Sequence, residues 1–192
     1  MTIYLEHIYK SYKDAEALND FNLSVEDGKC YALVGPKGSG KTTALKIFMG
    51  VEKPDSGKVS RMGDYKYPTL KTTYVPQEES LNLKKNAIWN VKKAHRTASK
   101  GGAVDELSRF FTDEEMNKPV GDLNIGRRRM IEIIKALFVP GDFVVLDDPF
   151  REMTDGDKKM ALDYVTDKLG TRPLLLAQRE EPDSGLFRII HM

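Results

Sequence analysis

The chain has 192 residues, 40% hydrophobic, 31% charged and 9% aromatic, with 30 basic against 29 acidic side chains and a formal net charge of +1. That composition is of the soluble globular kind and has room for one domain with a sizeable core. The near-neutral charge gives no case for a nucleic-acid partner, and no apolar run approaches the roughly 18 residues that span a bilayer. Cys30 is the one cysteine, so no intrachain disulfide can form, which fits a reducing compartment. The start MTIYLEHIYK alternates and carries charge, unlike a signal peptide.

Residues 2–9 and 20–25 alternate and are expected to be strands, and the turn EDGK at 26–29 uses Gly28 for a positive φ. CYALV at 30–34 is a short apolar run of the kind found in a buried central strand. GPKGSGKTT follows, and then ALKIFMG, a helix closed by Gly50. KPDSGK at 53–58 reads as a turn, and TTYVPQ at 72–77 as a strand stopped by Pro76. From about residue 80 to 120 polar helical stretches take over, LKKNAIWNVKKAH and AVDELSRFF, with Gly101 and Gly102 as a helix break and Ile88 and Trp89 as core. Residues 126–138 place Met130, Ile133, Ile134, Leu137 and Phe138 on one helical stripe. The three arginines at 127–129 read as the solvated face of that helix. A strand at 143–147, a helix at about 156–169, and strands in PLLLAQ and LFRIIHM complete the chain.

Strands alternating with helices predict an α/β fold. The sheet should be mostly parallel, with an antiparallel N-terminal β part and a short helical subdomain. The expected organisation is one domain over 1–192, with a core at about 1–79 and 127–192 and the helical subdomain at about 80–126.

GPKGSGKT, Gly35 to Thr42, fits G-x-x-x-x-G-K-[ST] in full, with an apolar run before it and an amphipathic helix after it. The chemistry requires these residue types. Glycines let consecutive N–H groups converge on phosphate oxygens, and the helix N-terminus adds its positive dipole end. Gly35, Pro36, Lys37, Gly38, Ser39, Gly40, Lys41, Thr42 and Thr43 are therefore candidate nucleotide ligands, with Lys41 reaching the β- and γ-phosphates and the Thr42 hydroxyl ligating Mg²⁺. A phosphate loop of this kind needs a carboxylate on a neighbouring strand, and Asp147 at the end of FVVLDDPF suits that role.

Together these features resemble the ATP-binding-cassette (ABC) ATPase family, across about residues 2–190. The order is Tyr12, the phosphate loop, Gln77, a helical insert, Gly126, the Asp147 strand and Gln178. The resemblance implies a P-loop NTPase core that binds ATP and Mg²⁺. Tyr12 stands where the family stacks an aromatic on adenine. Gln77 stands at the position that senses Mg²⁺ and the attacking water. LNIGR at 123–127 stands where the family reads Leu-Ser-Gly-Gly-Gln, a segment that caps the γ-phosphate of a partner subunit, so Asn124 and Gly126 would act in trans in a head-to-tail dimer. Departures fall on the catalytic positions. Ile125 replaces a glycine and resists positive φ, Asp148 replaces the usual Glu as general base, and Gln178 replaces the switch histidine. Thr154 takes the place of an aspartate, and Arg127 could meet phosphate in trans. Pro149 and Phe150 resemble the form seen in several ABC importer ATPases. The implied function is the cytoplasmic ATPase subunit of a transporter, peripheral on the membrane and powering a separate permease. The alternative is a nucleotide-gated dimerising module with little hydrolysis.

Overall fold

The computed structural model describes residues 2–13, 15–62, 71–95 and 99–192. Residues 1, 14, 63–70 and 96–98, which fall within the predicted 1–79 and 80–126 segments, lie outside the described residues. The chain divides into two compact units. One comprises residues 1–72, 142–148 and 170–192, and the other residues 73–141 and 149–169.

The first unit opens with two long strands, β1 (Thr2–Tyr12) and β2 (Ala15–Glu26), paired antiparallel. Both run further than their alternation predicts, because bulges interrupt the period. His7 and Asp20 each take a φ of 51° and the register shifts beside His7. A third strand, β4 (Ser56–Met62), pairs with the other edge of β1. It starts inside the segment read as a turn, which corrects that expectation. Gly57 makes the pairing possible, since its φ is 97° and a Cβ there would lie 2.2 Å from the His7 carbonyl oxygen.

The same unit holds a parallel sheet. Its strands are β3 (Cys30–Val34), β6 (Phe143–Asp147), β7 (Leu174–Gln178) and β8 (Phe187–His191), ordered β6-β7-β3-β8. All five residues of β3 and of β6 are buried, as expected of central parallel strands. Helix α1 (Lys41–Met49) buries Ala44, Leu45, Ile47 and Phe48. Phe48 meets Phe143 edge-on, with ring centroids 5.0 Å apart, a geometry worth ~0.5–1.5 kcal/mol beyond burial. Val34 pairs with Gln178 and with His191, and Asp147 pairs with Ala177. The carboxyl ends of three strands therefore bring Gly35, Asp147 and Gln178 to one edge, where ligands bind in open α/β sheets.

The second unit is helical apart from β5 (Thr72–Val75), which starts at its boundary. Its helices are α2 (Ala87–Lys93), α3 (Lys100–Leu107), α4 (Asp113–Asn117), α5 (Ile125–Leu137) and α6 (Asp155–Leu169). Side-chain caps set several of the starts. Asn86, Ser99 and Thr112 accept from the backbone N–H three residues on, and Thr112 forms a capping box with Glu115. Gly101 and Gly102 do not break a helix. They occupy the first turn of α3, where N–H groups lack helical partners and Ser99 supplies one to Gly102 at 2.9 Å. Ile88 is buried as expected, but Trp89 is 38% exposed and is no core residue. It faces outward with Lys85 over its ring.

Candidate nucleotide site

The phosphate loop is built between β3 and α1. Helix α1 has Gly40 at its N-cap and no side-chain cap, so its first amides have no side-chain acceptor. Two of the glycines are fixed for different reasons. Gly38 needs a φ of 89° and has open space around it. Gly40 needs a φ of 90°, and a Cβ there would lie 2.1 Å from the Ala17 carbonyl oxygen. Lys41 folds back over the loop, donating to Gly35 O at 2.7 Å, Pro36 O at 2.6 Å and Ser39 Oγ at 3.0 Å. Burial lowers its pKa below the ordinary lysine value, against the opposing charges of Asp147 and Asp148.

The Thr42 hydroxyl donates to Asp147 Oδ2 at 2.8 Å. Asp147 is 2% exposed. Burial pushes its carboxyl above the ordinary aspartate value, and the Thr42 hydrogen bond only partly offsets this while Asp148 adds to it. The two groups assigned to Mg²⁺ therefore already touch. This all-oxygen set suits a hard divalent cation. Among the described residues no three His, Cys, Asp or Glu side chains are grouped to hold a metal, so such an ion needs further oxygens from water or phosphate.

Asp148 follows in the left-handed region, with φ 47° and its N–H on Ala177 O at 2.8 Å. Aspartate tolerates that conformation better than most residues. Gln178 braces the loop through its carbonyl, which accepts from Gly35 N at 3.3 Å, while its side chain donates to Glu180 O at 2.7 Å. Tyr12 ends β1 and is 43% exposed. Burial and Glu52 raise its pKa, and the Thr43 hydroxyl acts the other way, which places the phenol beside α1. Lys10 secures this end of β1 by pairing with Asp55 at 2.8 Å and Glu52 at 3.6 Å, and Asp55 also accepts from Ser11 N at 2.8 Å. Sequence reasoning missed this clip, although the acidic residues within and just before KPDSGK, Asp55 and Glu52, were the available signal.

Gln77 and the 123–127 segment belong to the second unit. Gln77 is half-buried. Asn124 caps α5, accepting from Arg127 N at 2.9 Å. Ile125 is the first residue of α5 and is not among the positive-φ residues, so its branched side chain meets no backbone strain there. Gly126 is buried, and a Cβ on it would lie 3.1 Å from Glu152 O. A packing requirement therefore also explains this glycine. Thr154 caps α6, accepting from Asp157 N at 3.2 Å. The arginine run is no solvated face. Arg127 donates to Phe110 O at 2.9 Å, pairs with Glu115 at 3.3 Å and lies over Phe111, and Arg129 is 2% exposed. Backbone carbonyls and carboxylates from other segments draw these cations inward, and a local pattern cannot show them.

A family model described as ABC transporter matches residues 18–151. The sulfate/thiosulfate import ATP-binding protein CysA of Synechocystis sp. is 32% identical over 78% of this chain and 45% of its own length. The Nod factor export ATP-binding protein I of Cupriavidus pinatubonensis is 30% identical over 76% of this chain and 48% of its own. The chain thus spans less than half the length of these two relatives. The zinc import ATP-binding protein ZnuC of Vibrio parahaemolyticus is 32% identical, over 97% of this chain and 66% of its own length. Among solved structures, a putative ABC transporter (ATP-binding protein) from Pyrococcus furiosus superposes with a TM-score of 0.83 at 22% identity, covering 100% of this chain and 97% of that one. A dimeric post-hydrolysis ATP-binding cassette bound to ADP and Pi gives 0.75 at 21%, covering 92% and 88%. At these identities the structural likeness is one of fold.

Proposed function

The chain belongs to the ABC transporter family, and on that premise we propose that it binds ATP with Mg²⁺ and hydrolyses it to power solute movement through a separate membrane permease. The observation that carries this reading is the Thr42–Asp147 contact beside a phosphate loop that holds Lys41 ready. Relatives named as import or export ATP-binding proteins support transport over a module that only dimerises on nucleotide. No helix among the described residues is long and apolar enough to cross a membrane. In this reading a permease chain supplies the membrane path, and the domain sits on the cytoplasmic face with residues 80–126 as its helical subdomain.

The roles follow from the side chains. Lys41 exchanges the loop oxygens Gly35 O, Pro36 O and Ser39 Oγ for phosphate oxygens. Tyr12 offers a ring face to adenine. Thr42 and Asp147 would hold the Mg²⁺, and Gln77 would offer it a further oxygen. Bound there, that ion supplies charge neutralisation at the phosphates. Asp148 accepts the proton of the attacking water as its oxygen bonds to the γ-phosphorus and the bond to the β–γ bridging oxygen breaks. Gln77 orients that water, and Gln178 donates to the γ-phosphate. Asn124 and Gly126 of a second copy cap that phosphate in a head-to-tail dimer, the N-terminus of α5, which Asn124 caps, giving its dipole. Asp148 is a methylene shorter than glutamate, and about 1 Å of misplacement can cost on the order of 100-fold in rate, so turnover is expected to be slow. Measured ATP turnover that disappears on Lys41→Ala supports the reading. Turnover at background in the unsubstituted chain with its permease, or unchanged in Lys41→Ala, rejects it.

A further inference from the structure

Helix α5 turns two charges inward. Arg129 and Glu132 are each 2% exposed, and they pair one helical turn apart with 2.5 Å between Nη1 and Oε2. The hydrolytic roles above use neither. A buried ion pair is poor support for stability, since desolvation cancels much of its attraction. Its other partners show what it holds. Arg129 Nε donates to Pro149 O at 3.2 Å, and Nη1 donates to Pro76 O at 3.0 Å. Glu132 Oε1 accepts from Ser80 N at 2.5 Å and Ser80 Oγ at 3.0 Å. Lys135, one turn further, donates to Ser80 O at 3.2 Å. Pro76 directly precedes Gln77 and Pro149 directly follows Asp148. A single guanidinium thus fastens the chain at the neighbour of each of two residues assigned to the attacking water. At Pro149 the fixed φ of the ring lies between Asp148 and the anchored carbonyl, and at Pro76 a planar peptide bond joins the anchored carbonyl to Gln77, so each link has little slack.

We propose that Arg129, seated by Glu132, is a positioning residue that sets Gln77 and Asp148 for water attack by holding Pro76 and Pro149. This rests on the hydrolytic reading above. The geometry demands arginine. A planar fork can serve two carbonyls and a carboxylate together, whereas a lysine ammonium is a point donor on a flexible stem.

The test uses the full chain with Arg129→Lys, Glu132→Gln, Gln77→Ala and the Arg129→Lys/Gln77→Ala double variant. Four readouts are taken: Mg-ATP affinity, kcat and KM, the thermal midpoint, and amide hydrogen exchange over 77–80 and 150–153. Arg129→Lys is expected to leave KM and affinity within about twofold and to lower kcat by about 10- to 100-fold. The double variant should lose less than the product of the two single losses, because the part of the Arg129 effect that passes through Gln77 is already gone while the part that passes through Asp148 remains. Exchange over both segments should accelerate, and Glu132→Gln, which keeps the shape but not the charge, should move kcat and exchange in the same direction even if Arg129→Lys folds poorly. An unchanged kcat in both variants, fully multiplicative losses, or losses in affinity parallel to those in kcat overturn the proposal. Where the unsubstituted chain does not turn over ATP, the hydrolytic reading falls. Exchange then decides the tether alone, with acceleration over 77–80 and 150–153 supporting that Arg129 holds both segments and no change overturning it.

Discussion

Thr42 Oγ1 donates a 2.8 Å hydrogen bond to Asp147 Oδ2, joining positions 105 residues apart. The contact holds a buried carboxylate at a cost, because burial raises the pKa of Asp147 above its ordinary 3.8. A raised carboxylate pKa means that the ionised form weakens the fold. Folding stability from this group is highest below 3.8 and is lost as pH rises through the folded-state value. Asp147→Asn keeps an acceptor for Thr42 and removes the charge. It should raise the thermal midpoint of the nucleotide-free protein at neutral pH by ~2–4 °C, the shift that about 1 kcal/mol makes at this length. The same variant should lose the gain in ATP affinity that Mg²⁺ gives over EDTA. Calorimetry and nucleotide titration check the two halves, and a lower midpoint with Mg²⁺ dependence intact would contradict both.

Much of this site is legible in the residues, because its signals are local. A glycine-rich loop between an apolar run and an amphipathic helix needs no distant information, and a buried strand ending in aspartate completes the pair. The expectations that fail are those in which distant groups decide. Strand β4 starts within a turn-rich string because Gly57 accommodates the bulge at His7. Gly101 and Gly102 lie in a helix because Ser99 caps it. Arg129 lies buried because Pro76 and Pro149 bring carbonyls to it. The i, i+3 spacing of Arg129 and Glu132 was the one visible hint of that pair.

Asp148 sits at φ 47°, which couples catalytic reach to backbone strain. A longer glutamate reaches further but is less at home in the left-handed region than aspartate. Asp148→Glu should therefore raise ATP turnover by ~10-fold or more, given the sensitivity of such chemistry to about 1 Å, and lower the thermal midpoint by ~2–4 °C. Adding Gln178→His should raise turnover again by placing a cationic donor near the γ-phosphate. Steady-state kinetics on the unsubstituted chain and the two variants decide this, and no gain at either step removes the shortened base and the lost histidine as the cause of slow hydrolysis.

Glu106 links helices α3 and α6, accepting from Lys168 at 2.5 Å and from Tyr164 at 3.0 Å. Burial pushes its carboxyl upward, but the hydrogen bonds from Lys168 and Tyr164 outweigh burial and bring it below the ordinary 4.5. A lowered carboxylate pKa gives stability that is present above 4.5 and lost as pH falls through the folded-state value. Glu106→Gln should flatten the stability profile in that acidic window and lower stability at neutral pH. Denaturant midpoints across pH 3–7 test this, and a parallel offset at every pH would show that the ionised carboxylate is not the cause.

Gly38 and Gly40 carry the same kind of φ but face different surroundings, so alanine should separate them. At Gly38 the space is open, and the cost is the left-handed conformation alone, about 1 kcal/mol. At Gly40 the new methyl would lie 2.1 Å from Ala17 O and 2.9 Å from Leu18 Cδ2, so strand β2 or the N-terminus of α1 must move, adding ~1–3 kcal/mol. Gly40→Ala should accordingly unfold at lower denaturant than Gly38→Ala and lose nucleotide binding, because the displaced amides are those assigned to phosphate. Gly38→Ala should keep measurable binding, weakened about tenfold, equivalent to ~1.4 kcal/mol. Equal losses of stability in the two variants would show that the approach of Ala17 to Gly40 does not constrain the loop.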